Sequence, residues 1–122
     1  MHFNQLYDII VCTMKDFNNL KFNTSTTTGL HTGTMLLTDN MTISIIGGDG
    51  AYGDGQKSFE VCVIDNINNE PLTISESGGD VLGWQSKEQI DQLIKSVIDD
   101  PGKFRADCDM RMLNNVMEFE ES

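Results

Sequence analysis

The sequence predicts an α+β fold: an antiparallel sheet of about four strands, packed by an N-terminal helix and by a helix in the C-terminal half. Two observations carry this. Residues 86–98 have the 3.6-residue apolar period of a helix and a cap in front of it. Between residues 35 and 74, apolar and polar residues alternate in short runs broken by Asn- and Asp-rich turns, as in hairpin-linked strands with one buried face. At 122 residues the chain reads as a single domain, 1–122, and its 39% hydrophobic content supports one modest core.

Phe3, Leu6, Ile10, Met14 and Phe17 are spaced 3, 4, 4 and 3. That spacing sets them on one face of a first helix, with Tyr7 and Val11 widening the stripe and Asn18-Asn19 stopping it. Thr24 and Thr26 to Thr28 favour extended chain, because β-branching restricts χ1. Met35-Leu36-Leu37 and Met41-Thr42-Ile43-Ser44-Ile45 flank Thr38-Asp39-Asn40, which predicts a tight hairpin. Phe59, Val61 and Val63 alternate with Glu60 and Cys62. An Asn-rich turn, 65–71, then leads to Leu72-Thr73-Ile74 as a second hairpin.

Ser86 with Gln89 is a capping box, and Ile90, Leu93, Ile94, Val97 and Ile98 form the apolar stripe behind it. Asp99-Asp100-Pro101-Gly102 ends that helix. Beyond residue 103 two periods compete, and residue content favours a helix over about 107–118. Glu118, Glu120, Glu121 and Ser122 read as an acidic, frayed tail.

No apolar run approaches the ~20 residues of a membrane-spanning helix. The net charge of −11 argues against binding duplex DNA through a basic face. Cys12, Cys62 and Cys108 are odd in number and lack metal-site spacing, so free thiols in a reducing compartment are expected. The N-terminus has no basic region followed by a cleavage site, which points to the cytoplasm, a host cytoplasm if the source is viral.

Residues 47–55 are the most unusual stretch. Gly48, Gly50 and Gly53 satisfy G-x-G-x-x-G, but a strand rather than a helix follows, so no helix N-terminus is there to hold a pyrophosphate. Asp49 and Asp54 lack calcium-loop spacing, and Tyr52 stands where a calcium β-roll needs an acid. A loop connector is the expectation, with Asp49, Tyr52 and Asp54 as partner contacts and no metal or cofactor. His31 reads as a turn residue, and neither it nor His2 belongs to a catalytic signature. The chain therefore reads as a non-enzyme. Trp84, the sole tryptophan, precedes the capped helix and is expected to seal it against the sheet, with an interface anchor as the alternative reading.

The Asn-rich hairpin turns, the strand Phe59-Glu60-Val61-Cys62-Val63-Ile64-Asp65 and the run from Asp80-Val81-Leu82-Gly83-Trp84 into Gln85-Ser86-Lys87-Glu88-Gln89-Ile90 resemble small accessory proteins of bacteriophages. That resemblance implies an anti-defence role: binding and disabling a host factor, or sequestering a nucleotide immune signal.

Two functions are thus expected. In the first, an acidic inhibitor docks on a host protein with a basic surface, such as a nucleic-acid-binding protein. It acts through Asp49, Tyr52, Asp54, Glu118, Glu120 and Glu121, where long-range attraction speeds encounter. In the alternative, a nucleotide sponge uses Lys57, Lys103, Arg105 and Arg111 around a phosphate. Convergence of those four cations favours the sponge, and scatter favours the inhibitor. A small enzyme is the third reading, and self-association into a homo-oligomer is a further kind of partnership.

Overall fold

The computed structural model describes residues 15–121, and their side chains as far as residue 116. The helix expected from Phe3 lies outside these residues except at its end. There Phe17–Asn19 is a single 3-10 turn, capped by Asp16, whose carboxylate accepts from the backbone N–H of Asn18 at 2.9 Å. Asn19 closes the box by accepting from the Asp16 N–H at 2.8 Å.

Six strands follow, where about four were expected: β1 (Phe22–Thr24), β2 (His31–Thr38), β3 (Met41–Gly47), β4 (Phe59–Asp65), β5 (Glu70–Pro71) and β6 (Leu82–Gln85). All pairings are antiparallel. The order is β1-β2-β3-β4-β5, and β6 also pairs with β4, opposite Phe59 and Val61, while β5 pairs with Ile64 and Asp65. Helices α1 (Lys87–Asp99) and α2 (Pro101–Glu121) complete the fold. No described helix is long and apolar enough to cross a membrane.

The period-2 pattern decides which face is covered. Met41, Ile43 and Ile45 on β3, and Phe59, Val61 and Val63 on β4, are buried and packed under Ile90, Ile94 and Val97 of α1 and Phe104 and Cys108 of α2. The opposite face shows Thr34, Ser44 and Cys62 in one row and Leu36, Thr42 and Ile64 in the next. Phe17, Phe22 and Phe59 close one end of the core with ring centroids 4.9 to 5.8 Å apart.

Several expectations are corrected. His31 is a strand residue, and its Nδ1 lies 2.7 Å from Thr24 Oγ1 across the β1–β2 pair. Only Thr24 of the Thr-rich run is extended. Residues 26–28 turn, because Gly29 at φ 75° lets its N–H reach back to the Ser25 carbonyl at 2.8 Å. Leu72 and Ile74 are buried but lie outside a strand, although the Leu72 N–H still donates to the Val63 carbonyl at 2.8 Å beyond Pro71.

The capping box of α1 is as expected, with the Gln89 N–H on Ser86 Oγ at 3.1 Å and the Ser86 N–H on Gln89 Oε1 at 2.8 Å. Pro101 ends α1 and also begins α2, because proline suits the first position of a helix, where its N–H has no partner to lose. The second helix therefore runs beyond 107–118 at both ends and takes in the backbone of the expected tail as far as Glu121, with Ser122 outside the described residues. Cys62 and Cys108 are free, Cys108 is buried, and desolvation pushes both thiols up. Cys12 lies outside the described residues.

Candidate functional site: an aromatic pair beside a folded loop

The loop between β3 and β4 is folded on itself, rather than serving as a slack connector. Asp54 Oδ1 accepts from the backbone N–H groups of Gln56 (2.8 Å), Lys57 (2.8 Å) and Ser58 (3.0 Å). These donors hold the Asp54 carboxyl down to about 2. Glycine is required where the loop meets the strands. A Cβ on Gly47 would stand 2.4 Å from the Gly55 Cα, and one on Gly53 would stand 2.5 Å from the Phe59 Cα. The Gly48 N–H donates to the Gly53 carbonyl at 3.0 Å, which throws residues 49–52 outward as a tip.

Tyr52 rides on that tip, 63% exposed. Its N–H donates to Glu60 Oε1 at 3.3 Å, and its carbonyl accepts from the Trp84 N–H at 2.6 Å. The tip is thereby tied to β6. Gly83 permits the approach, since a Cβ there would stand 2.8 Å from that of Tyr52.

Trp84 overturns the sealing role expected of it. It is 64% exposed, and its backbone sits at φ 55°, in the left-handed region. For a bulky residue that conformation costs on the order of 1–3 kcal/mol and persists only where its surroundings impose it. The imposing features are the Tyr52 hydrogen bond and the register irregularity between the Phe59 and Val61 pairings of β4 with β6. The outcome is two large aromatic side chains held outward on neighbouring segments. Carboxylates stand nearby: Asp49 is exposed on the same tip, and Glu60 accepts from the Tyr52 N–H.

The other expected site residues are distributed as follows. Asp49 and Tyr52 are presented outward, whereas Asp54 is occupied in holding its own loop. Glu118, Glu120 and Glu121 fall within the last turns of α2. The four cations do not converge. Lys57 stands just before β4, while Arg105 is ion-paired with buried Asp65 at the far end of that strand. Arg111 donates to Glu76 Oε1 at 3.0 Å, and Lys103 donates to Asp107 Oδ2 at 2.8 Å. Lys103 and Arg111 share the groove between α1 and α2, but with Asp99, Asp100 and Asp107 also lining it. That groove has too much acid for a phosphate. Among the described residues, no three His, Cys, Asp or Glu side chains gather as a metal-binding group.

Trp84 is the site residue that sequence reasoning misplaced. Gly83 beside it was the available signal, because a glycine within a short strand marks a close backbone approach. Compared with known proteins, the chain matches no family model, no curated protein and no solved structure.

Proposed function

We propose that this chain is a non-catalytic binding protein that docks the Tyr52–Trp84 face onto a basic surface of a partner protein. One observation carries the reading: Trp84 is exposed and held in a costly backbone conformation beside a second exposed aromatic. Exposed tryptophan and tyrosine are the side chains that most often anchor interfaces. Asp49 and Glu60 beside them suit the lysines and arginines of a basic partner, whose cations also stack on aromatic rings. The net charge of −11 adds long-range steering. The resemblance to phage accessory proteins makes that partner a host defence or nucleic-acid-binding protein. The nucleotide sponge is disfavoured, because Arg105, Arg111 and Lys103 are already paired with carboxylates at separate places.

The test is capture from a bacterial lysate, followed by binding kinetics on the captured protein. Trp84→Ala with Tyr52→Ala should accelerate dissociation about thirtyfold or more, as for loss of a hot spot. Association of the unaltered chain should slow as salt rises to physiological strength. Capture undiminished in the double variant rejects this face. A nucleotide retained in native mass spectrometry, with no protein captured, replaces the reading with the sponge.

A further inference from the structure

At the aromatic end of the core lies a pocket of about 340 Å³ that includes neither Tyr52 nor Trp84. Phe17, Phe22 and Phe59 form its apolar wall, their rings tilted 32 to 51° to one another. His31, Gln56 and Lys87 supply its polar groups. The His31 ring is fixed on two sides: Thr24 Oγ1 engages its Nδ1 at 2.7 Å, and a Cβ on Gly55 would stand 3.1 Å from its Cδ2. The Lys87 ammonium stands 5.4 Å from the centroid of the Phe17 ring, so a cation lies over the aromatic wall.

No carboxylate lines this pocket, in contrast to the groove between α1 and α2, which Asp99, Asp100 and Asp107 line. Lys95, Lys103, Arg105 and Arg111 each hold a carboxylate, and Lys15 donates to the Leu37 carbonyl. Lys87 holds no carboxylate among the described residues. The acids around it are committed elsewhere. Asp91, one turn along α1, accepts from the Phe17 N–H at 2.6 Å, and Asp16 accepts from the Asn18 N–H. Asp54 holds three N–H groups of its own loop, and Glu60 holds that of Tyr52. Glu88 lies about 100° round the helix from Lys87.

We propose that this pocket binds a small monocarboxylate carrying one aromatic ring, with the ring against Phe17, Phe22 and Phe59 and the carboxylate on Lys87 Nζ. The ring follows from the wall, since tilted aromatic rings take a further ring edge to face. The single acid follows from the charge: one ammonium lines the pocket, whereas a phosphate would bring about two negative charges. The size follows from the volume, which is at the low end of the roughly 300–1,000 Å³ of small-molecule sites and holds one ring with a short acid arm. His31 and Gln56 line the same pocket and offer donors to the second carboxylate oxygen.

The proposal does not rest on the Tyr52–Trp84 reading, and its test needs no protein partner. Phenylacetate, titrated into the isotope-labelled full chain and followed by NMR, should move the amide signals of His31, Gly55, Gln56 and Lys87 together. Its Kd should be about a millimolar or below. Lys87→Gln should weaken phenylacetate about tenfold, as for loss of a charge-assisted hydrogen bond, and Lys87→Arg should hold it within a few-fold. Lys95→Gln, which removes a cation elsewhere on α1, should leave it unchanged. Lys87 is exposed and the α1 cap is made by Ser86 and Gln89, so the circular dichroism of these variants should match that of the unaltered chain. Benzyl alcohol, the same ring without the charge, should bind at least about tenfold more weakly than phenylacetate. Unmoved signals at these four amides overturn the proposal, and so does an affinity indifferent to Lys87→Gln. Benzyl alcohol binding as tightly as phenylacetate rejects the anion, and phenyl phosphate binding more tightly rejects the monocarboxylate in favour of a phosphate ester.

Discussion

Helices α1 and α2 cover the same face of the sheet and are joined through the single residue Asp100, yet they direct their apolar residues differently. In α1, Ile90, Ile94 and Val97 are all buried and Leu93 and Ile98 flank them, so its apolar stripe is consumed by the core. In α2, Phe104 and Cys108 reach the core, while Met110, Met112, Leu113 and Val116 face outward. Among the described residues, α2 thus carries more apolar side chains than the core takes up, and it is held by fewer of them than α1. The comparison separates residues that stabilise the fold from residues that the fold presents.

Three substitutions break or sharpen that contrast. The largest effect should come from α1. Ile94→Ala removes three side-chain carbons from the closed core and should cost about 2–5 kcal/mol in urea unfolding. A loss below about half a kcal/mol would mean that α1 is no better packed than α2.

An intermediate loss is expected from Arg105→Met, which strips the buried Asp65 carboxylate of its ion pair and loosens α2 from the end of β4. The Arg105 hydrogen bond holds the Asp65 carboxyl below the usual carboxylate range. The pair therefore contributes stability above the unfolded-state value, about pH 4, and that contribution fades as pH falls through the lower folded value. Unfolding curves at neutral pH and near pH 3 should show the gap between variant and unaltered chain narrowing on acidification. A gap that widens would contradict the pairing.

The smallest effect is expected for Leu113→Ala. Its thermal unfolding should change by no more than about half a kcal/mol. A larger loss would place Leu113 in a core of its own and remove the distinction between the helices.

The legible parts of this fold are those where one local rule sufficed. α1 announced itself because cap, period and stop agreed within thirteen residues. β3 and β4 did so because alternation ran their full length. β6 gave no such signal: Gly83 and Trp84 break the alternation, and the strand exists through pairing with β4 and the Tyr52 carbonyl, both distant in sequence. Pro101 was half-read, since a proline stops one helix and starts the next by the same missing N–H. At the candidate site, Tyr52 was legible as an aromatic in an odd glycine-rich loop. Its neighbour Trp84 was not, because the outward orientation follows from a backbone dihedral that tertiary contacts impose.

Asp100 gives the two helices a common fate. Its N–H donates to the Ser96 carbonyl at 3.4 Å, closing α1. Its carboxylate accepts from the Lys103 N–H at 3.1 Å and its carbonyl from the Phe104 N–H at 3.0 Å, opening α2. One residue thus terminates one hydrogen-bond ladder and founds the next. Fraying at the end of α1 removes the nucleus of α2, so the joint transmits local unfolding instead of absorbing it. Loosening at Asp100 is therefore expected to be felt in the last turn of α1 and the first turn of α2 together.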